Sequence, residues 1–168
     1  MNSQRGLTSI ELVIVMVIIV ILAGGAFVYV GVMNSMKLDA AAQKLLADIR
    51  YAQGQATATT TWYGVLFEPT PTNRYTVYQT NGTTDTPITD PSDFSKTLVV
   101  DTNAKFGVAI SAVNLEGGAN KIEFNGLGRP YTDYTGYVVS SEGVVSLSIA
   151  GLSKTVTIAP LTGKADIQ

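Results

Sequence analysis

QRGLTSIELVIVMVIIVILAGGAFVYVGVM, Gln4 to Met33, decides how the rest of the chain is read. From Leu12 to Met33 it runs 22 residues without a charge, and between Leu7 and Met36 the only charged residue is Glu11. At about 1.5 Å per residue, a helix of that length matches the ~30 Å hydrocarbon core of a bilayer. The run has no strand-like alternation, and only helices and closed barrels satisfy their backbone in lipid. A spanning helix is expected. The flank before it carries Arg5 and the chain's amine, which favours a cytoplasmic N-terminus and an exported remainder.

Two generic readings of this segment stand beside each other. In a secretory signal, Gly24 and Ala26 would be the small residues before a cut at Phe27. The apolar run is longer than such a signal needs, continues past that site and opens with a glutamate in place of several positive charges. In a plain anchor, Glu11 would sit at the interface, where a carboxylate is far cheaper than at the bilayer centre.

The other part of the chain is built for water. From Thr60 to the end there are 10 acidic and 7 basic residues, and the whole 168-residue chain has a net charge of −2. A nucleic-acid surface needs clustered Lys and Arg, and none is written here. Histidine and cysteine are both absent, which removes the usual zinc ligands, thiol nucleophiles and Ser–His triads. The serines and lysines fall in no S-x-x-K or G-x-S-x-G setting. The reading is non-enzymatic, with no catalytic residue, cofactor or metal site assigned.

KLDAAAQKLLADIRYAQGQATAT, Lys37 to Thr59, keeps the helical period and becomes amphipathic. Leu38, Ala42, Leu45, Ile49, Ala52 and Ala56 recur at three- and four-residue steps, with Lys37, Asp39, Lys44, Asp48 and Arg50 mostly on other faces. One continuous helix from Leu7 to about Thr57 is expected. After it come short runs rich in Val, Ile, Thr and aromatics: WYGVLFE, RYTVYQT, KTLVV, FGVAIS, NKIEF, GYVVS, VVSLSIA and KTVTIAP. PTPTN and GLSK read as hairpin loops. The fold class is α+β, a long helix with a transmembrane first half and an amphipathic second half packed on antiparallel sheets. The domain boundaries follow: residues 1–6, a membrane helix over 7–36, an amphipathic helix over 37–58 and an exported β-rich domain over 59–168.

Two further stretches carry candidate chemistry. Between Asn81 and Asp101, the residues Asp85, Asp90, Asp93 and Asp101 lie in a Pro- and Thr-rich segment, read as a mobile solvated loop or as oxygen ligands for calcium. RPYTDYTGY brings Tyr131, Tyr134 and Tyr137 together, either as a stacking surface or as aromatic filling for the sheet.

RGLTSIEL followed by a long apolar helix resembles the type III signal of type IV pilins and type II secretion pseudopilins. The resemblance implies a leader ending at Gly6, cut by a prepilin peptidase, and Leu7 as the first mature residue, methylated on its new amine. Glu11 then falls at the fifth mature position, where the family keeps a glutamate used in assembly. The usual first residue is Phe, and many members carry a helix-breaking Pro that this chain lacks; Gly24 and Gly25 are the nearest sites for helix flexibility. LLADIRYAQGQATATTTWYGVLFEP, FNGLGRP and APLTGKADI are similar to the GspH/FimT branch, although the branch's Arg-Ser-Glu-Ala order is replaced by AQGQA.

The implied protein is a structural minor pseudopilin or minor pilin. Its implied partners are other pilin subunits, the peptidase and an inner-membrane assembly platform. It would be a single-pass inner-membrane protein with an exported C-terminal domain before joining a secretion pseudopilus or pilus. A shaft-forming major pilin and a DNA-binding uptake pilin are the alternatives, the second disfavoured by a tail in which Lys164 is offset by Asp166. Electrostatics supplies a reason for Glu11: breaking a buried ion pair costs ~3–5 kcal/mol, so a carboxylate among packed helices needs a cation. The available one at that depth is the Leu7 amine of another copy.

Overall fold

The computed structural model describes residues 8–168, with the side chains of residues 23–30 outside the description. The chain divides between Ser35 and Met36 into two compact units. Helix α1 (Ser9–Thr59) contributes to both and ends within two residues of the expected boundary.

In the first unit, every large apolar side chain described between Ile10 and Leu22 is exposed. Among the described residues, no helix is long and apolar enough to cross a membrane. The expected span, Leu12 to Met33, includes residues 23–30.

In the second unit the strands form in chain order. They are β1 (Trp62–Glu68), β2 (Arg74–Thr80), β3 (Asp85–Pro87), β4 (Thr89–Asp90), β5 (Asp93–Thr97) and β6 (Val99–Asp101). After the one-turn helix α2 (Thr102–Phe106) come β7 (Ala109–Asn114), β8 (Lys121–Phe124) and β9 (Pro130–Tyr131). The last three are β10 (Gly143–Ile149), β11 (Leu152–Ile158) and β12 (Ala165–Ile167). One sheet has the order β3-β2-β1-β8-β9, with β6 also pairing β2; a second has the order β12-β11-β10-β7. All of these pairings are antiparallel.

The predicted apolar stripe of α1 forms the centre of this unit. Leu38, Ala42, Leu45, Ile49, Ala52 and Ala56 are all buried, in one cluster with Val65, Phe67, Tyr75 and Val77 of the first sheet and Val145, Leu147, Val156 and Ile158 of the second. The small Ala residues let the backbone approach closely, and burial at about 25 cal/mol per Å² of apolar surface makes this contact the main source of stability. Asp48 departs from the amphipathic reading: it is 4% exposed. Its carboxylate accepts from Lys44 Nζ at 2.6 Å and from the buried Tyr75 hydroxyl at 2.7 Å, so its acceptors are satisfied inside the core. Burial, then the Asp48 charge, holds the Tyr75 hydroxyl far above the usual tyrosine range.

Three local expectations are corrected. GLSK is not the hairpin loop: Ile149 pairs with Leu152, and the turn is Ala150–Gly151 with φ of 48° and 83°. Two positive-φ residues make the turn whose twist matches the flanking strands. GYVVS is not a strand, because its start is taken up by the Asp133 turn, in which Thr135 and Gly136 bond back to Asp133. Only Val138 bridges to Tyr131, and Val139 fills the core. The stretch from Asn81 to Asp101 is not an irregular loop but holds β3 to β6. Asn81, Asp90 and Asp93 each accept backbone N–H groups two residues on, which fixes its turns.

Leu45→Ala, which removes a fully buried side chain, is expected to lower stability by about 2–5 kcal/mol. Urea unfolding of the full chain in detergent micelles, followed by circular dichroism, reads this as a lower midpoint. A second expectation concerns acid. The Lys96 and Ser95 bonds lower the Asp93 carboxyl to about 2, and Ser92 lowers Asp90. A depressed folded-state value gives stability that is complete above the ordinary range of about 3.9 and is lost as pH falls through the folded value. The thermal midpoint should therefore decline from about pH 4 towards about 2, with a shallower decline in Asp93→Asn.

Candidate functional site

Glu11 stands in the first turn of α1. Its Oε2 accepts from the Thr8 backbone N–H and hydroxyl, both at 3.4 Å. Thr8 is the residue before the helix, and a glutamate three positions on reaches back to satisfy a donor the helix leaves orphaned. The Thr-x-x-Glu spacing is the sequence signal for this role, overlooked beside the apolar run. An acid here also interacts favourably with the positive end of the helix dipole. The contacts are long and exposed, and among the described residues Oε1 has no partner. Gly6 and Leu7, the expected cleavage and methylation sites, lie outside the described residues. Gly24 and Gly25 fall within α1, which is continuous across them.

The end of α1 explains the motifs that bear the GspH/FimT likeness. Gln53 Nε2 donates to the carbonyls of Gly128 and Thr162, each at 2.8 Å. FNGLGRP and APLTGKADI are thus two turns held by one side chain. Gly163 has φ of 67°, and a Cβ there would lie 2.8 Å from the Phe124 ring. Arg50 reaches the Ala165 carbonyl at 2.8 Å and Asp166 at 3.2 Å. Lys164 also pairs with Asp166 at 2.7 Å, so the basic residue of the tail is neutralised.

The acids between Asn81 and Asp101 are not gathered. Asp90 and Asp93 close turns, Asp101 caps α2, and Asp85 lies in β3. Among the described residues no group of three or more His, Cys, Asp or Glu is placed to hold a metal ion. The tyrosines separate as well: Tyr131 and Tyr134 pack on Trp62 at ring distances of 4.9 and 4.8 Å, whereas Tyr137 is 84% exposed.

Sequence reading missed a polar cavity of about 270 Å³ on this face. Its floor is Glu123, on β8, only 1% exposed. Glu123 Oε1 accepts from the Tyr78 hydroxyl at 2.7 Å and from Lys121 Nζ at 2.9 Å. Among the described residues its Oε2 is buried without a hydrogen-bond partner. Burial first, then the Glu123 bond and the charges of Glu123, Asp85 and Asp133, push the Tyr78 hydroxyl far above its usual range. Burial works against the Lys121 ammonium, but the same three carboxylates outweigh it and bind its proton more tightly than usual. The alternation of KIEF signals that Glu123 opposes Ile122 and Phe124; it does not signal that the opposite face is covered too.

The α1 end and its two sheets define a pseudopilin fold. The chain resembles the minor pseudopilin EpsH from the type 2 secretion system of Vibrio cholerae, with a TM-score of 0.58 at 15% identity over 79% of this chain and 96% of that one. The type IV minor pilin FimU of Pseudomonas aeruginosa gives 0.49 at 12% identity over 78% and 92%. No curated protein sequence matches significantly. The family model for type II transport protein GspH matches residues 41–162, and the chain belongs to that family. Its role is that of a structural pseudopilin or pilin subunit.

Gly64 of β1 makes room for the Tyr78–Glu123 pair: a Cβ there would lie 2.6 Å from the Tyr78 ring and 2.8 Å from Glu123 Cγ. Gly64→Ala is expected to destabilise the protein by about 1–3 kcal/mol through overpacking. The urea midpoint of the full chain checks this.

Proposed function

We propose that this GspH-family protein is a minor pseudopilin or minor pilin that inserts its N-terminal helix in the inner membrane, is cut after Gly6 and methylated on Leu7, and enters a filament through Glu11. The observation that carries the reading is Glu11 itself. It stands at the head of α1, held by two long bonds from Thr8, and the apolar side chains from Leu12 to Leu22 behind it are exposed. Such a surface needs lipid or neighbouring helices, because a contiguous exposed apolar patch of this extent marks an interaction site. In that surrounding the carboxylate takes the Leu7 amine of an adjacent copy as its cation, which sets the axial register between subunits. Gly24 and Gly25 are where the helix would bend on packing. The exported unit contributes a surface for other subunits of the filament, and the role is structural rather than catalytic.

Glu11→Ala should leave membrane insertion and cleavage unchanged and abolish incorporation into filaments. Membrane fractionation and a count of the variant in sheared filaments measure the two effects separately. Intact-mass spectrometry of the wild type should show loss of residues 1–6 and one added methyl group. An uncut terminus, or normal incorporation of the variant, would refute the reading.

A further inference from the structure

The cavity above Glu123 is not used by assembly through α1. It lies between the turn at Gly82 and the 131–137 segment, lined by Thr80, Asp85, Lys121, Glu123, Asp133 and Tyr134. Two features point to a ligand. The first is an excess of negative charge, since three carboxylates face one ammonium, and Lys121 is already paired to Glu123 Oε1. The second is Oε2 of Glu123, a buried acceptor left without a donor among the described residues although the residue is 1% exposed. Leaving such a group unsatisfied is unfavourable, and more so where it is charged. The fold also packs Tyr134 tightly against the Gly82 turn, which fixes the rim of the cavity. Gly82 has φ of 83°, and a Cβ there would lie 2.4 Å from the Tyr134 ring. A group retained against its own cost, in a shaped cavity, is a mark of a binding site.

We propose that this cavity receives the arginine side chain of a protein partner, with the guanidinium donating to Glu123 Oε2 and to the carboxylates of Asp85 and Asp133. The chemistry discriminates among cations. A metal ion needs its oxygen ligands drawn to within about 2.6 Å of one point, and these carboxylates are not grouped in that way. A lysine ammonium is a compact, strongly hydrated charge with three donors. A guanidinium carries five donors in a planar fork and is weakly hydrated, so it can reach separated acceptors while giving up little water. One wall of the cavity is Tyr134, whose ring is tilted by 50° against Trp62 at 4.8 Å, and an arginine plane packs favourably on an aromatic ring. Next to this cavity is a wider one of about 550 Å³ that shares Lys121 and Asp133 and includes the exposed Tyr137. It gives the partner's backbone a place to lie beside the inserted side chain.

The test uses the full-length protein, isotope-labelled in detergent micelles, and amide shifts in nuclear magnetic resonance spectra. The probe is N-acetylarginine amide, and its neutral isostere N-acetylcitrulline amide is the control. The arginine probe should give saturable shifts at Gly82, Thr83, Lys121 and Tyr134, and the citrulline probe should bind at least tenfold more weakly. Glu123→Gln should weaken the arginine probe at least tenfold. Should that variant fail to fold, Asp85→Asn carries the test, because Asp85 is exposed in β3 and its side chain makes no hydrogen bond among the described residues. A several-fold loss is expected there. Absence of saturable shifts, equal binding of citrulline, full binding by a folded Asp85→Asn, or calcium chloride saturating the same amides at lower concentration would each overturn the proposal. None of these outcomes bears on Glu11, so failure here leaves the assembly reading standing.

Discussion

Burial of one helical stripe is the constraint on which the second unit depends. Two antiparallel sheets of short strands each have an apolar face that must be covered, and among the described residues no other helix is long enough to cover both. Residues 38–56 of α1 supply a surface of Ala, Leu and Ile at helical spacing, and side chains of both sheets close on it. The polar contacts follow from that geometry. Asp48 bonds to Tyr75 of the first sheet, while Arg50 bonds to the Ala165 carbonyl and Asp39 pairs with Lys154 of the second. Each sheet is thus fastened to the same stretch of helix by a side chain lying next to the stripe. The apolar contact supplies most of the free energy, and these bonds select one orientation.

Much of this was legible in the sequence, and for a physical reason. Period alone identifies a helix whose stripe is sustained over five turns, and β1 and β2 were bounded correctly because Val, Phe and Tyr alternate between clear turn residues. Legibility failed where a side chain of middling polarity settled the local backbone. Asn81, Asp90, Asp93 and Asp133 look like solvated loop residues, yet each captures neighbouring N–H groups and turns the chain where composition suggests disorder or a strand. Ala150 adopts a positive φ that its residue type gives no hint of; the Gly beside it was the clue.

The candidate sites divide along the same line. Glu11 was visible because it is the wrong residue for its surroundings, a charge in an apolar run. Glu123 was invisible because it is the expected residue for an outward strand position, and only the tertiary structure covers it with Tyr78 and the 131–137 segment. A sequence reports departures from local pattern. It does not report when an ordinary position becomes buried through packing of elements distant in the chain.

The two carboxylates pose one electrostatic problem if Glu11, exposed in the single chain, is packed among helices as proposed. A carboxylate removed from water must be given donors, and an interior that supplies too few of them leaves a demand for a cation from outside. Glu123 receives two donors, both on one oxygen, and keeps the other unsatisfied. Glu11 receives two long bonds from Thr8, also on one oxygen, and the apolar side chains from Leu12 to Leu22 behind it are exposed. Among the described residues, each carboxylate has one oxygen without a partner. Under the proposed assembly that shortfall would have a use: the free energy withheld from folding the single chain would become available when a second chain supplied the missing cation. A subunit that satisfied every acceptor internally would be more stable alone and would have less reason to join anything.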